Sequence, residues 1–231
     1  MLKAINIHKK YSQLGSSTAN DSSLHVLKGI DLEVSKGEIV SIVGASGAGK
    51  STLLHILGTL DRPDVGSVLI KEIALEQLSE EKLANFRNQN IGFIFQFHNL
   101  LPEFTALENI CLPAYIGNRD IKEIEERADY LMNMLGVYER KNHKPSEMSG
   151  GEQQRTSVAR ALINTPSIIF ADEPSGNLDS KNAEELHKLF FKLRDELMQT
   201  FVIVTHNFAL AEMADRKIEI IDGKIAKNDS V

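Results

Sequence analysis

The stretch GASGAGKST, residues Gly44 to Thr52, decides the fold class of this chain. It follows the apolar run EIVSIV, which ends at Val43 and has the length and composition of a buried strand. The stretch fits the pattern G-x-x-x-x-G-K-[ST] at every required position, and a helix is predicted from Lys50 to about Leu60. A strand, a glycine-rich loop and a helix in this order predict one repeat of an α/β sheet.

A loop of this kind binds phosphate groups. Its glycines let backbone N–H groups turn inward, and the helix behind it presents its positive N-terminus. We expect the Lys50 ammonium to reach the β- and γ-phosphates of a nucleotide and the Ser51 hydroxyl to bind Mg²⁺. The predicted phosphate-binding residues are Gly44, Ala45, Ser46, Gly47, Ala48, Gly49, Lys50, Ser51 and Thr52.

An acidic pair follows a second apolar strand. The run IIFADEP, residues 168–174, contains Asp172 and Glu173 at the end of the strand. Such a pair can simply cap the next element, but the phosphate loop in the same chain favours catalysis. Asp172 is then predicted to hold Mg²⁺, and Glu173 is the candidate general base for an attacking water.

Short apolar strands alternate with helices, and this alternation predicts a mostly parallel sheet covered on both faces. Strands are predicted at residues 2–8, 24–34, 38–43, 67–71, 91–95, 168–171, 201–205 and 217–221, and helices at about 50–60, 79–87 and 181–197. Residues 97–161 are predicted to be an almost wholly helical insertion, which leaves 1–96 and 162–231 as the nucleotide-binding core. Residues 12–23, SQLGSSTANDSS, are predicted to be a flexible loop, and residues 15–23 carry no motif.

Composition and charge argue against several classes of protein. The net charge of −6 argues against a nucleic-acid partner, because such proteins usually carry a basic face. The single cysteine, Cys111, allows no disulfide within the chain and is predicted to lie in the core. The apolar runs are far shorter than the roughly 18 residues of a membrane span, and the N-terminus lacks the apolar core of a signal peptide. We therefore expect a soluble chain in a reducing compartment.

A second anion-binding pattern occurs at MSGGEQQR, residues 148–155. Ser149, Gly150 and Gly151 precede an apolar-periodic helix, as at a helix N-terminus that holds an anion. Unlike the phosphate loop, this stretch contains no lysine. The sequence thus predicts two anion sites of different construction in one chain.

These patterns together resemble the ATP-binding cassette (ABC) ATPases over nearly the whole chain. MSGGEQQR is similar to the LSGGQ signature of that family, with Met148 for Leu and Glu152 for the commoner Gln. The resemblance implies a P-loop nucleoside triphosphatase core with an N-terminal antiparallel β subdomain and an inserted helical subdomain. It also implies ATP hydrolysis with Mg²⁺.

The resemblance assigns further roles. Tyr11 would stack on adenine, Gln96 would contact the metal and the attacking water, and His206 would contact the γ-phosphate. Two chains would pair head to tail, so that the signature of one covers the ATP of the other. The implied catalytic residues are Glu173, His206, Gln96 and Lys50; the metal ligands are Ser51, Gln96 and Asp172; the further nucleotide contacts are Tyr11, Ser149, Gly150, Gly151 and Asp179.

Residues 97–116, FHNLLPEFTALENICLPAYI, follow the position where the family docks a membrane partner. Phe97, Leu100, Leu101 and Phe104 are either an exposed docking surface or part of the core, and the sequence leaves both open. The segment resembles the subgroup of ABC ATPases in lipoprotein-releasing systems. This implies two integral membrane permease subunits, lipoprotein cargo, and a place at the cytoplasmic face of a bacterial inner membrane.

Other functions stay open at this point. Related ATPases that serve macrolide or peptide efflux, or cell-division complexes, share most of these motifs. Soluble ABC ATPases that act on DNA or ribosomes usually carry a second cassette, a long coiled coil or zinc modules, none of which occurs in this sequence. A scaffold that uses ATP only as a clamp would not need the acidic side chain of Glu173.

Overall fold

A computed structural model describes residues 1–12, 23–117 and 119–230 of the chain. Apart from Ser12 and Ser23, the predicted flexible loop at residues 12–23 lies outside the described residues. The strands are β1 (Leu2–Ser12), β2 (Ser23–Val34), β3 (Ile39–Val43), β4 (Val65–Ile70), β5 (Ile73–Ala74), β6 (Ile91–Phe95), β7 (Ile168–Asp172), β8 (Thr200–Val204), β9 (Arg216–Ile221) and β10 (Lys224–Ser230).

Seven α-helices lie within the described ranges. They are α1 (Lys50–Leu57), α2 (Glu80–Asn90), α3 (Ala106–Ile116), α4 (Ile121–Met134), α5 (Gly150–Leu162), α6 (Ser180–Leu197) and α7 (Phe208–Met213). Helices α3, α4 and α5 fall in the segment predicted to be helical, separated by loops and two short 3₁₀ turns, Tyr138–Arg140 and Pro145–Glu147. Across these same ranges, the structure has no helix long and apolar enough to cross a membrane.

The described residues form two compact units, residues 1–83 with 204–231 and residues 84–203. In the first unit, β2, β1, β4 and β5 form an antiparallel sheet in that order. In the same unit β3 pairs in parallel with β9, which pairs antiparallel with β10. The predicted α/β class with an N-terminal antiparallel sheet is confirmed. The division into a core of 1–96 with 162–231 and a helical insertion of 97–161 stays a prediction.

The second unit contains the strand order β8-β7-β6, with β6 parallel to β7. Every residue of β8 is buried, as are the first four residues of β7, which is typical of strands covered on both faces. Phe190 of α6 packs against Phe201 of β8 with the ring centroids 5.2 Å apart. The register places Phe95 opposite Asp172, so the segments that follow β6 and β7 begin side by side.

Helix α5 lies close against β6. A Cβ atom added to Gly92 of β6 would come within 2.6 Å of the carbonyl oxygen of Ala161 in α5. A side chain at Gly92 would therefore push the helix away from the strand. The contact sets the position of the helix whose N-terminus carries the signature motif.

Candidate functional site

The phosphate loop joins β3 to α1, and its glycines adopt backbone angles that other residues avoid. Gly44, Gly47 and Gly49 have φ of 149°, 79° and 103°. A Cβ atom at Gly44 would lie 2.3 Å from the carbonyl oxygen of Ile220 in β9. The close approach of β9 and the sharp turn both require glycine at this position.

Lys50 and the N-terminus of α1 make the loop suitable for an anion. The Lys50 side chain is only 6% exposed, and its ammonium donates to the carbonyl oxygens of Gly44 and Ala45 at 2.9 and 3.0 Å. Among the described residues, no side chain caps α1 at Gly49, and its first turn contains no carboxylate. An uncapped helix end with a cation beside it favours phosphate. These residues therefore fit the triphosphate of a nucleotide.

Tyr11 of β1 is held by a hydrogen-bond network. Its hydroxyl donates to Asp61 Oδ2 at 2.8 Å, and Lys9 Nζ donates to Asp61 Oδ1 at 2.7 Å and lies 5.2 Å from the Tyr11 ring centroid. Burial and then the Asp61 carboxylate raise the pKa of the Tyr11 phenol, while a hydrogen bond with Thr52 lowers it. The network links the Tyr11 ring, which is 42% exposed, to a residue of α1 just behind the phosphate loop.

The neighbouring carboxylate stays charged in this network. Burial opposes ionisation of Asp61, but hydrogen bonds from Lys9, Tyr11 and the Arg62 backbone together lower the pKa of the Asp61 carboxyl. Lys9 is 8% exposed, although a lysine in a strand is usually solvated. Its burial is explained by the charge of Asp61 and by a second acceptor, the carbonyl oxygen of Arg62 at 2.7 Å.

His206 lies in the first unit, beside the strand that leads into the phosphate loop. The Thr205 backbone N–H donates to the carbonyl oxygen of Ile42 at 3.1 Å, which attaches this segment to β3. The Asn207 side chain caps α7 by accepting from the Leu210 N–H at 3.0 Å. His206 is exposed between these two attachments.

Glu173 follows β7 in an unusual backbone conformation. Its φ is 46°, a left-handed value that costs about 1–3 kcal/mol for a residue with a side chain. The Glu173 carbonyl oxygen accepts from the Gly176 N–H at 3.0 Å, which closes a tight turn directly after the strand. The strand therefore ends at Asp172, and Glu173 belongs to the turn.

Gln96, at the end of β6, is fixed by the segment that follows this turn. Gln96 Nε2 donates to Asn177 Oδ1 at 3.0 Å, and Asn177 Nδ2 donates to the Gln96 carbonyl oxygen at 3.1 Å. The buried Gln154 of α5 also donates to the carbonyl oxygen of Pro174 at 2.6 Å. Three sequence motifs of the second unit are therefore joined by amide side chains.

The signature motif forms the N-terminus of α5. The Ser149 hydroxyl accepts from the Glu152 N–H at 3.3 Å, while Glu152 Oε2 accepts from the Ser149 N–H and hydroxyl at 2.8 and 2.9 Å. Such a reciprocal capping box satisfies two helix-end donors. A Cβ atom at Gly151 would lie 2.4 Å from Asn182 Oδ1, so this glycine lets α6 come close to α5. Gly150 has more room.

Asp179 caps α6. Its carboxylate accepts from the Asn182 N–H at 2.9 Å and from the Asn182 side chain at 2.6 Å, and these bonds lower the pKa of the Asp179 carboxyl. The structure thus gives Asp179 a helix-capping role. Its predicted contact with nucleotide stays a prediction.

The predicted metal ligands are divided between the two units. Ser51 lies in the first turn of α1, while Gln96 and Asp172 lie at the ends of β6 and β7. Within the described ranges, no three His, Cys, Asp or Glu side chains form a metal cluster. The predicted Mg²⁺ site stays a prediction.

Cys111 lies in the core of α3, as the sequence predicts. Its side chain is fully buried, and burial raises the pKa of the thiol to about 11. A thiol with so high a pKa is a poor nucleophile at neutral pH.

Several side chains that hold the site were not predicted. Lys9 and Asp61 are 52 residues apart, and Gln96 and Asn177 are 81 residues apart, so no local pattern connects them. Asn177 lies two residues before Asp179, a predicted nucleotide contact, and that position is the one signal that could have identified it.

The loop between β3 and α1, with acidic residues at the end of β7, defines a P-loop nucleotide-binding protein. The family model described as ABC transporter matches residues 27–176, and the chain belongs to this family of ATPases. Both the predicted family and the predicted ATPase activity are confirmed.

Curated relatives match nearly the whole chain. The lipoprotein-releasing system ATP-binding protein LolD of Cytophaga hutchinsonii is 60% identical over 97% of this chain and 98% of its own length. The LolD protein of Bacteroides thetaiotaomicron is 58% identical over 94% of this chain and 99% of its own. Among solved structures, the ATP-binding cassette MJ0796, a dimer bound to ADP and Pi, is 40% identical. It has a TM-score of 0.88, covering 100% of this chain and 98% of its own.

Removing only the Tyr11 hydroxyl should test the anchoring network. If Tyr11 stacks on adenine as predicted, we expect Tyr11→Phe to weaken ATP binding about three- to tenfold. The ring would lose the hydrogen bonds that hold it in place beneath the adenine. Tripolyphosphate, which has no base, should bind as it does to the unmodified chain. Isothermal titration measures both affinities, with Tyr138→Phe as the control. Equal ATP affinity for Tyr11→Phe and the unmodified chain would contradict an anchored base platform.

Proposed function

We propose that the chain is the ATP-hydrolysing subunit of a complex that releases lipoproteins from a bacterial inner membrane. The observation that carries the proposal is the similarity to relatives named as LolD, at 44–60% identity over at least 90% of either chain. These names favour lipoprotein release over drug efflux or cell division. The chain would act at the cytoplasmic face of the membrane, bound to two integral permease subunits (LolC/LolE-like).

Several sequence motifs contribute residues to the proposed chemistry. Lys50 and the N–H groups from Gly44 to Thr52 hold the phosphates, and Tyr11 supports the adenine. Ser51, Gln96 and Asp172 offer hydroxyl, amide and carboxylate oxygens, a donor set that Mg²⁺ accepts. When bound, Mg²⁺ would neutralise charge on the phosphate oxygens during hydrolysis.

Glu173 accepts the proton of the attacking water in this proposal. Glu173 lies in the turn directly after β7, and the pairing of Gln96 with Asn177 holds the amide that would position the water. His206 would contact the γ-phosphate from the segment beside β3. Each of these three roles stays a proposal, and the variant of Glu173 below tests the first.

The ATPase is proposed to work as a head-to-tail dimer. Ser149, Gly150, Gly151 and Asp179 would then act on nucleotide held by the second copy. Support comes from the related bacterial ABC transporter cassette, 40% identical to this chain, which is described as dimeric. ATP that binds the closed pair better than the separate chains would drive closure, and hydrolysis would release it.

Glu173→Gln should retain ATP binding and lose hydrolysis, because the amide has a similar size but cannot take up a proton. We expect kcat to fall at least about 100-fold. An ATP-bound dimer should accumulate and elute early in size-exclusion chromatography. Lys50→Ala is the comparison, since it should weaken nucleotide binding itself. Hydrolysis at the unmodified rate by Glu173→Gln would show that another group is the base.

A groove in the second unit is the proposed docking site for the membrane partner. It has a volume of about 460 Å³, and its lining includes Phe93, Phe95 and Ile116, the last of which is 67% exposed. Its charged lining residues are Arg87 and Arg160, and the lining contains no carboxylate. Apolar surface with cations suits a cytoplasmic helix that carries an acidic side chain.

The four docking residues predicted from the sequence are not among the lining residues of this groove, but they lie in the segment that follows β6. Phe97, next to Gln96, is 72% exposed, while Leu101 and Phe104 are each 38% exposed and Leu100 is half-buried. The interpretation that all four belong to the core is therefore wrong for Phe97. Arg160 holds this segment, with its guanidinium donating to the carbonyl oxygens of His98 and Asn99 at 2.7 and 2.6 Å.

Ile116→Glu should prevent docking by placing a carboxylate in the groove, against an acidic partner. We expect co-purification of the permease subunits from mild detergent to fall at least about tenfold, with ATP affinity unchanged. Ile73→Glu in β5, which alters another exposed isoleucine in the first unit, is the matched control. Full recovery of the permeases with Ile116→Glu would place the docking site elsewhere.

A further inference from the structure

The signature helix carries its own carboxylate at the end proposed to meet phosphate. Glu152 Oε2 binds both the N–H and the hydroxyl of Ser149, so this hydroxyl is already donated within the chain. The N-terminus of α1 is different, because no side chain among the described residues caps it. A second anion at α5 would therefore approach an existing negative charge.

Arg140 is the cation that faces this carboxylate. Its Nε donates to Glu152 Oε1 at 2.8 Å, the oxygen that Ser149 does not use. The hydrogen bond from Arg140, opposed by burial and aided by Ser149, lowers the pKa of the Glu152 carboxyl to about 2. Glu152 is thus ionised at neutral pH, and its charge is balanced by an arginine from the 3₁₀ turn Tyr138–Arg140.

Arg140 and Glu152 are both partly exposed, so an incoming molecule can reach them. The Arg140 side chain is 41% exposed and that of Glu152 is 20% exposed. Without Arg140, the Glu152 carboxylate would still accept a hydrogen bond from the Ser149 hydroxyl, but that arginine would no longer balance its negative charge. A triphosphate presented to Ser149 would then be repelled.

We propose that Arg140 is a positioning residue for the signature serine: it neutralises and holds Glu152, so that Ser149 can turn its hydroxyl toward the phosphate of nucleotide bound by a second copy of this chain. The inference rests on the proposed function, because it needs the head-to-tail dimer. A purely structural brace between the 3₁₀ turn and α5 is the competing explanation of the same contact.

A double-mutant cycle separates charge balance from bracing. All proteins carry Glu173→Gln, and light scattering measures the ATP concentration that gives half-maximal dimer. We expect Arg140→Gln to raise this concentration at least about tenfold. In the Glu152→Gln background, which keeps an oxygen acceptor but no charge, the same change should cost less than about threefold. Lys188→Gln in α6, which removes another paired surface cation, is the control.

The possible outcomes distinguish charge balance by Arg140 from a structural brace. The proposal is overturned if Arg140→Gln raises the half-maximal ATP concentration equally in both backgrounds, or does not raise it at all. Arg140→Lys, which keeps the charge, should stay within about threefold of the parent. A loss with Lys as large as with Gln also contradicts charge balance, and this variant serves if Arg140→Gln does not fold. If the parent never dimerises with ATP, the proposed dimer itself fails, and the inference fails with it.

Discussion

The proposed site depends on which groups bind the free N–H groups at the N-termini of helices α1 and α5. Helix α1 begins at Gly49, and within the described residues no side chain caps it, while Lys50 lies folded against the carbonyl oxygens of the loop. Helix α5 begins after Ser149, whose hydroxyl and N–H are both bound by Glu152. Because a helix N-terminus attracts negative charge, the first end is suited to receive phosphate and the second already holds a carboxylate. The two motifs therefore contribute differently, and the second needs Arg140 beside it.

The second unit connects its motifs through side-chain hydrogen bonds. Gln154 of α5 binds the carbonyl oxygen of Pro174, and Gln96 and Asn177 exchange two hydrogen bonds. The proposed docking groove lies against β6, and Arg160 of α5 holds the backbone just beyond Gln96. A partner that shifts this segment would therefore act directly on groups that hold the turn around Glu173. The proposed coupling of ATP hydrolysis to movement of the membrane partner would pass through these hydrogen bonds.

Local sequence patterns predicted part of this arrangement and could not predict the rest. The phosphate loop, β6 and α6 were predicted nearly to the residue, because apolar strands, glycine spacing and helix periodicity are local signals. Strand β10 was missed because its residues, KIAKNDS, are mostly polar and depend on pairing with β9. Helix α1 ends at Leu57 rather than near Leu60, since Gly58 follows it. The pairing of Lys9 with Asp61 requires tertiary contact, which no local pattern indicates.

In the proposed dimer, the phosphate loop of one copy and the signature of another make one site. Mixing two variants, each defective in a different half of this site, tests that arrangement. In a Glu173→Gln background, Lys50→Ala lacks a working phosphate loop and Ser149→Arg lacks a working signature. Native mass spectrometry of each variant alone with ATP should show monomers. Their mixture should show a heterodimer holding one ATP, because it contains one complete site. A mixture that stays monomeric while Glu173→Gln alone dimerises would contradict the account.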